Sequence, residues 1–245
     1  VFNTPIVLYS RKVVVNALEK EGVVDNRDGV YYVDMIKLAN LMVEEKTWTD
    51  IGLNQLYGPI LVDTTDPNES NSGNMFLGLL ANALNGNKPV SKSNIDEVKD
   101  NIVHIYRQLG YMQSSSIDMF NQFLRQGVGS YPIIAGYESQ LLEFSKQESD
   151  MYDKIRDDVI IMYPEPTIWS SHVYIALTES GKVGLNALMD KDIQALAWKD
   201  HGFRTTVSGT ENPDEFDVNG MADQVTKIMP MPSVDVMLEL MEAIK

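Results

Sequence analysis

A run of small polar residues between Asp63 and Asn74 is the part of the sequence best suited to bind a ligand. It follows a short apolar segment typical of a buried strand and precedes an apolar segment with helical spacing, which predicts a loop entering a helix. The first amides of a helix lack internal partners and lie at the positive end of its dipole, so they attract anions and polar groups. The expected ligand groups belong to Thr64, Thr65, Ser70, Asn71, Ser72 and Asn74.

Gly73 lies in the same run and, having no side chain, would let a ligand approach the backbone. The alternative interpretation is an ordinary capped helix after an Asp-Pro turn. Because the run holds more polar side chains than capping requires, the sequence favours a binding site.

Ser115 and Ser116 lie at a second predicted helix start that is rich in hydroxyl groups. One serine would be enough to cap that helix. Tyr137 follows a predicted strand, and ligands in open α/β sheets bind beyond the carboxyl ends of strands. Trp169, Ser170 and Ser171 are further candidates for the cleft wall. Neither polar run contains Arg or Lys, so we expect a neutral or weakly anionic ligand held by dipoles and hydroxyls.

Signals for catalysis, metals and cofactors are weak. The three histidines share no short motif with a second ligand residue, and the chain has no nucleophile-elbow, phosphate-loop or dinucleotide motif. We therefore predict no catalytic residue, no metal ligand and no cofactor, and a protein that is not an enzyme.

The composition of the 245 residues is that of a globular protein, with 44% hydrophobic and 22% charged residues. The net charge is −15 and no basic cluster is visible, which argues against nucleic acid as a partner. The chain has no cysteine, so it has neither disulfides nor thiolate metal sites. Its apolar runs are too short to span a bilayer.

Strand-like and helix-like segments alternate, which predicts an α/β protein with a mainly parallel sheet. The predicted strands are Ile6–Tyr9, Val30–Val33, Ile60–Val62, Tyr131–Ala135, Val159–Met162 and His172–Leu177. The predicted helices are Lys12–Glu21, one that begins after Asp34, Ser72–Leu84, Asn94–Leu109, Ile117–Gln126, Val183–Met189, Asp192–His201 and one from Ser233 to Ile244. Residues 205–220 are expected to form a surface loop.

Three segments resemble bacterial extracellular solute-binding proteins, in particular the type 2 periplasmic-binding branch that includes molybdate and sulfate binders. They are Gly58–Phe76, Gln126–Glu138 and Ile193–Arg204. The resemblance implies a two-lobed fold with a ligand in the cleft between the lobes. Asn71-Ser72-Gly73 stands where the oxyanion binders have Pro-Ala-Gly, which argues against molybdate or sulfate as the ligand.

The same resemblance predicts how the chain is divided. Residues 10–163 would form the second, inserted lobe, and residues 1–9 and 164–245 the remainder of the first lobe plus a C-terminal tail. Ile6–Tyr9 resembles the strand that crosses between lobes, so we expect a truncated first lobe with an exposed apolar edge or face, covered by a neighbouring molecule or by the tail.

The sequence thus predicts an extracellular or periplasmic protein that captures a small polar or oxyanion solute for transport or sensing. Its expected partners are the membrane subunits of an ABC transporter, and its expected membrane contact is limited to a lipid anchor. The alternative is a surface adhesion or sensor module with the same fold and no role in ligand transport.

Overall fold

The computed structural model describes residues 1–205 and 211–245 and shows a mixed sheet with helices on both faces. The strands are β1 (Phe2–Arg11), β2 (Val24–Arg27), β3 (Val30–Val33), β4 (Ile133–Tyr137), β5 (Val159–Pro164), β6 (Trp169–His172) and β7 (Arg204–Thr205). The helices are α1 (Lys12–Lys20), α2 (Met35–Val43), α3 (Asn71–Leu84), α4 (Ile95–Leu109), α5 (Ser116–Arg125), α6 (Glu138–Gln147), α7 (Ser149–Tyr152), α8 (Glu179–Leu188), α9 (Lys191–His201) and α10 (Val234–Ala243).

Strand β1 belongs to two ladders. Its second half, from Ile6 onward, pairs with β4 on one side and β5 on the other, and β5 pairs in turn with β3 and β3 with β2. Its first half, up to Pro5, pairs with β6 and β7. We call the first set the large ladder and the second set the small ladder. The chain passes from one to the other at Pro5–Ile6, and again after β5.

Alternation along β1 divides the core into two layers, because successive strand side chains point to opposite faces. Ile6 and Leu8 pack on the face covered by α1, α2, α3, α4 and α10. Val7 and Tyr9 pack on the opposite face with residues of α5, α6 and α9. Burial on both faces explains why the central part of β1, Ile6–Tyr9, is continuously apolar.

The expectation of a mainly parallel sheet is wrong, because the central strand β1 runs antiparallel to all four of its partners. Two of the predicted strands also differ from the structure. Ile60 and Val62 are buried, but residues 60–62 form no strand; isolated bridges lie on either side of them, from Pro59 to Thr47 and from Asp63 to Ile134. The strand predicted at His172–Leu177 lies at Trp169–His172 instead, because the β1 partner ends opposite His172.

The predicted surface loop at 205–220 is partly a core element. Residues 206–210 lie outside the described part of the chain. In the remainder, Phe216 is buried and packs edge-on against Trp198, with ring centroids 5.1 Å apart. The C-terminal tail also has a definite place, since α10 packs on α3 and α4. No helix in the described ranges is long and apolar enough to cross a membrane.

A buried ion pair joins the two ladders. Glu138, at the start of α6, and Arg204, in β7, are 0% and 4% exposed. The Nε and one Nη of Arg204 donate to the two carboxylate oxygens of Glu138, each at 2.7 Å, and the guanidinium also donates to the carbonyls of Ala222 and Asp223. The Tyr163 hydroxyl, from β5, donates to Glu138 at 2.6 Å. The pair is therefore fully hydrogen-bonded, as a buried charge requires.

Replacing Arg204 with Met should lower the free energy of unfolding by about 3–5 kcal/mol, because Glu138 would remain buried without a counter-charge. Denaturant unfolding at neutral pH measures the loss. Lys182→Met, which breaks the exposed pair with Glu179, is the control and should change stability by less than about 0.5 kcal/mol. The double variant Glu138→Leu/Arg204→Met should lose less than Arg204→Met alone; an equal or larger loss would show that packing, not charge, decides the outcome.

Candidate functional site

Three hydroxyls form a closed triangle at the start of α3. Thr65 Oγ1 lies 2.9 Å from Ser70 Oγ and 2.9 Å from Ser72 Oγ, and the two serine oxygens are 3.0 Å apart. Ser70 is the N-cap residue, yet its hydroxyl faces this triangle and does not cap the helix amides. The first turn of α3, a helix of 14 residues, therefore receives no side-chain cap at its positive dipole end.

The side chain of Asn71 connects α3 to both ladders. Its Nδ2 donates to the Tyr137 hydroxyl at 2.8 Å and lies 3.4 Å from Ser170 Oγ. Tyr137 ends β4 in the large ladder, and Ser170 lies in β6 of the small ladder. Asn71 is exposed and Tyr137 is half-buried, so this polar cluster has both a supported side and a side open to solvent.

The Tyr137 phenol is held neutral. Burial raises its pKa above the ordinary value of 10, while hydrogen bonds with Asn71, Ser170 and Ser72 oppose the rise. At physiological pH the hydroxyl therefore acts as a neutral donor and acceptor. Together with the Asn71 amide, it presents dipoles without net charge.

The second serine segment is joined to the cluster through Gln140. The Gln140 side chain accepts a hydrogen bond from the Tyr137 amide at 2.8 Å and donates to the Ser116 carbonyl at 3.2 Å. Ser115 caps α5 by accepting from the Asp118 amide. The starts of α3, α5 and α6 therefore lie near each other, with Ser115 and Ser116 in the supporting structure.

Three of the predicted ligand groups have other contacts. Thr64 is buried, and its hydroxyl reaches only the Thr65 carbonyl at 3.5 Å. The Asn74 side chain turns away from the triangle toward α10, with its Nδ2 3.0 Å from Met241 Sδ. Gly73 is buried against the backbone of Thr65: a Cβ there would lie 2.1 Å from the Thr65 carbonyl oxygen. The expectation that Gly73 admits a ligand is wrong, because the space beside it is filled by protein.

No sequence pattern predicted that Gln140, Glu138 or Arg204 lies beside the cluster of Asn71 and Tyr137. Glu138 follows Tyr137 directly, so the buried ion pair fixes the backbone next to the residue whose hydroxyl accepts from Asn71. In the sequence, the only sign of this ion pair is a Glu at a helix start after an apolar strand. That pattern is also common in proteins without a buried ion pair.

Asp63, before the polar run, is a desolvated carboxyl group. Its backbone bonds to β4 through Ile133 and Ala135, and burial raises the pKa of its side chain to about 7. Within the described ranges, no group of three or more His, Asp or Glu side chains is arranged to hold a metal ion. The Asp63 carboxyl group therefore titrates near neutral pH, and among the described residues it belongs to no metal-binding cluster.

The chain matches no family model and no curated protein sequence. Solved structures with similar folds include a protein from Bordetella parapertussis described as an extracellular solute-binding protein, apo FutA2 from Synechocystis PCC6803, and the substrate-binding protein of an ABC transporter from Agrobacterium tumefaciens. Their TM-scores are 0.57, 0.60 and 0.50, at sequence identities of 10%, 10% and 13%.

These matches cover 99%, 99% and 100% of this chain, but only 64%, 68% and 65% of the other chains. At such identities the similarity establishes the fold and leaves the ligand open. The chain therefore has the α/β fold found in extracellular solute-binding proteins, and it spans about two thirds of their length.

Gly73→Ala should lower the free energy of unfolding by about 1–3 kcal/mol, because the added methyl group would overlap the Thr65 carbonyl and force the backbone apart. Gly127→Ala is the matched control, since nothing lies within 4 Å of a Cβ at that position. Chemical denaturation of both variants measures the difference. A Gly73→Ala variant as stable as the Gly127→Ala variant would mean that α3 does not start against Thr65.

Stability should fall as the pH rises from about 4 to about 7 through the contribution of Asp63. Its folded-state pKa is about 7, above the unfolded value of 3.8, so the folded state binds more protons in this window. Asp63→Asn should remove that part of the decline, which thermal melts at pH 4.5 and pH 8 would detect. Asp100→Asn, at an exposed position on α4, should leave the decline as it is in the unmodified protein.

Proposed function

We propose that this protein is a non-enzymatic solute-binding protein that captures a small polar or weakly anionic ligand at the start of α3. The observation that carries the proposal is the set of hydrogen bonds joining Asn71, Tyr137 and Ser170, which come from a helix start and from both ladders. A ligand that bonds to these groups would contact both ladders at once, as capture between two lobes requires.

The chemistry of the cluster sets the ligand class. It presents an exposed amide and a half-buried, neutral phenol, and the uncapped turn of α3 adds a partial positive charge without a full cation. Residues 63–74 include Asp63, Asp66 and Glu69 but no Arg or Lys, so a multiply charged anion would have no counter-ion within this segment. A molybdate-like or sulfate-like oxyanion is therefore a weaker candidate than a neutral or singly charged solute.

Capture for transport is consistent with the solute- and substrate-binding descriptions of two of the structural neighbours. On this proposal the protein works outside the cell or in the periplasm, and its partners are the membrane subunits of an ABC transporter. A net charge of −15 keeps such a protein soluble and disfavours nucleic acid as a partner.

An enzyme is a weaker proposal, because the most deeply buried carboxylate among the described residues is already hydrogen-bonded to other side chains. Glu138 accepts hydrogen bonds from Arg204 and Tyr163, which leaves it no role as a general acid or base on a ligand. A surface adhesion or sensor module without transport remains the second proposal. It would share the fold but bind no small solute at Asn71.

A thermal-shift screen of neutral sugars, amino acids and small oxyanions, followed by calorimetry of each hit, tests the proposal. A ligand at 100 times its Kd should stabilise the protein by about 2.7 kcal/mol. Asn71→Ala and Tyr137→Phe should each weaken binding by about two- to tenfold, since each removes one hydrogen bond worth about 0.5–1.5 kcal/mol.

The control is Asn74→Ala, which changes the same residue type in the same helical turn but removes a side chain that faces Met241. Its affinity should equal that of the unmodified protein. If Asn74→Ala and Asn71→Ala weaken binding equally, the ligand lies elsewhere. If no compound in the screen stabilises the protein, the adhesion or sensor proposal takes precedence.

A further inference from the structure

An open cavity of about 630 Å³ lies where strands β3 and β5 end. These two strands pair in parallel, with Val33 opposite Pro164, and Asp34 and Glu165 follow them directly. Ligands in open α/β sheets bind beyond the carboxyl ends of strands, and small-molecule sites usually measure about 300–1,000 Å³. The place and the size of the cavity therefore suit a small molecule.

The cavity is separate from the cluster of Asn71, Tyr137 and Ser170. None of these three residues lines it, and β1 lies between β5 and β4 in the order of the strands. A molecule bound in the cavity would therefore be distinct from the solute proposed above, and the two sites can be tested independently.

Much of the charge in the cavity is already paired. Glu165 accepts from an Nη of Arg27 at 2.5 Å and from the Lys227 ammonium group at 2.8 Å. The Cζ of Arg27 lies 3.5 Å from the centre of the Tyr32 ring, and its Nε lies 3.3 Å from Asp25. Because this group combines two carboxylates with two cations, it has no net charge.

Among the described residues of the cavity, Lys37 is the cation that keeps donors for a ligand. Its ammonium group donates to the Gly22 carbonyl at 2.8 Å, and it lies 3.9 Å from an Asp34 oxygen. The other Asp34 oxygen caps α2 by accepting from the amides of Ile36 and Lys37. Since an ammonium group has three N–H donors, a ligand carboxylate could bind Lys37 without breaking an existing hydrogen bond.

Glu19 and Asn87 are the complementary acceptors in the lining. Within residues 1–205 and 211–245, the Glu19 carboxylate takes part in no ion pair, and the Asn87 side-chain oxygen is buried without a hydrogen-bond partner. Buried acceptors are normally hydrogen-bonded, so a ligand that brings N–H donors would satisfy Asn87 as well as neutralise Glu19.

Aliphatic side chains form another part of the lining. Val24 and Val33 are buried, and Ile36 is half-buried. Removal of apolar surface from water favours binding, so a ligand with an aliphatic group would gain from this part of the cavity.

We propose that this cavity is a second binding site, for a small zwitterion with an aliphatic side chain, such as a branched-chain amino acid. The ligand carboxylate binds the Lys37 ammonium group, the ligand ammonium group binds Glu19 and Asn87, and the side chain packs on the apolar lining. A simple anion would meet the Glu19 carboxylate and a simple cation the Lys37 ammonium group, so each matches the site only in part.

Three compounds that differ in their charged groups test the proposal: L-leucine, isoamylamine, which lacks the carboxylate, and isocaproate, which lacks the ammonium group. Each is titrated into ¹⁵N-labelled protein, and amide chemical shifts report both the affinity and the place of binding. L-leucine should shift the amides of Val24, Lys37 and Asn87 and leave that of Asn71 unchanged. It should bind about two- to fivefold more tightly than either analogue, as expected for one exposed ion pair.

Neutral variants assign the two charged partners. Lys37→Gln should bind L-leucine and isoamylamine equally, and Glu19→Gln should bind L-leucine and isocaproate equally, because each variant removes the partner of the group by which the two compounds differ. Lys182→Gln and Glu97→Gln, at exposed positions on α8 and α4, are the controls and should keep both preferences. Circular dichroism verifies that each variant is folded.

Four outcomes would overturn the proposal. If L-leucine shifts no amide of the cavity, the cavity is not its site. Shifts centred on Asn71 and Tyr137 would assign L-leucine to the cluster at α3. An analogue that binds as tightly as L-leucine would show that the site does not select a zwitterion. Unchanged preferences in Lys37→Gln or Glu19→Gln would show that the charged groups of the ligand bind elsewhere.

Discussion

The backbone hydrogen bonds of β1 are the interaction on which the rest of the structure depends. Within residues 1–205 and 211–245, four of the six other strands pair directly with β1, and β3 reaches it through β5. Because the first half of β1 serves the small ladder and the second half the large one, a shift of its register by one residue would disrupt both. Thr167 strengthens the junction, since its hydroxyl donates to the Ile6 carbonyl where β1 passes between ladders.

The geometry of the candidate site is set by the pairing of β1 with the strands of both ladders. Tyr137 is placed by the pairing of β4 with β1, and Ser170 by the pairing of β6 with the other half of β1. Glu138, the residue after Tyr137, and Arg204 then hold the two ladders together. A binding group supported in this way needs little reorganisation to meet a ligand, which reduces the entropic cost of binding.

Most helices could be predicted, because apolar residues at helical spacing and glycines at the ends mark them locally; α3 differs from its prediction by one residue. Helices α6 and α7 were not predicted, and α8 begins four residues earlier than expected. The directions of the strands could not be predicted, since they depend on pairing between residues far apart in sequence. For the site, the hydroxyls of Thr65, Ser70 and Ser72 were predictable as a helix start. The tight packing of Gly73 was not, because a glycine at a helix start looks the same in sequence whether ligand or protein fills the space beside it.

The pairing of β1 has a consequence for the order in which the protein forms. Ser10 and the Pro132 carbonyl to which it donates are 122 residues apart, and β7 pairs with β1 from even further along the chain. At synthesis rates of about 5–20 residues per second, β1 waits roughly 6–24 seconds for the first of these partners to emerge. Contacts of such long range slow folding, so the apolar strand Ile6–Tyr9 cannot reach its final buried position until β4 and the later strands have been made. While these partners are missing, the apolar side chains of Ile6–Tyr9 are exposed, and unpaired apolar strands are prone to aggregation.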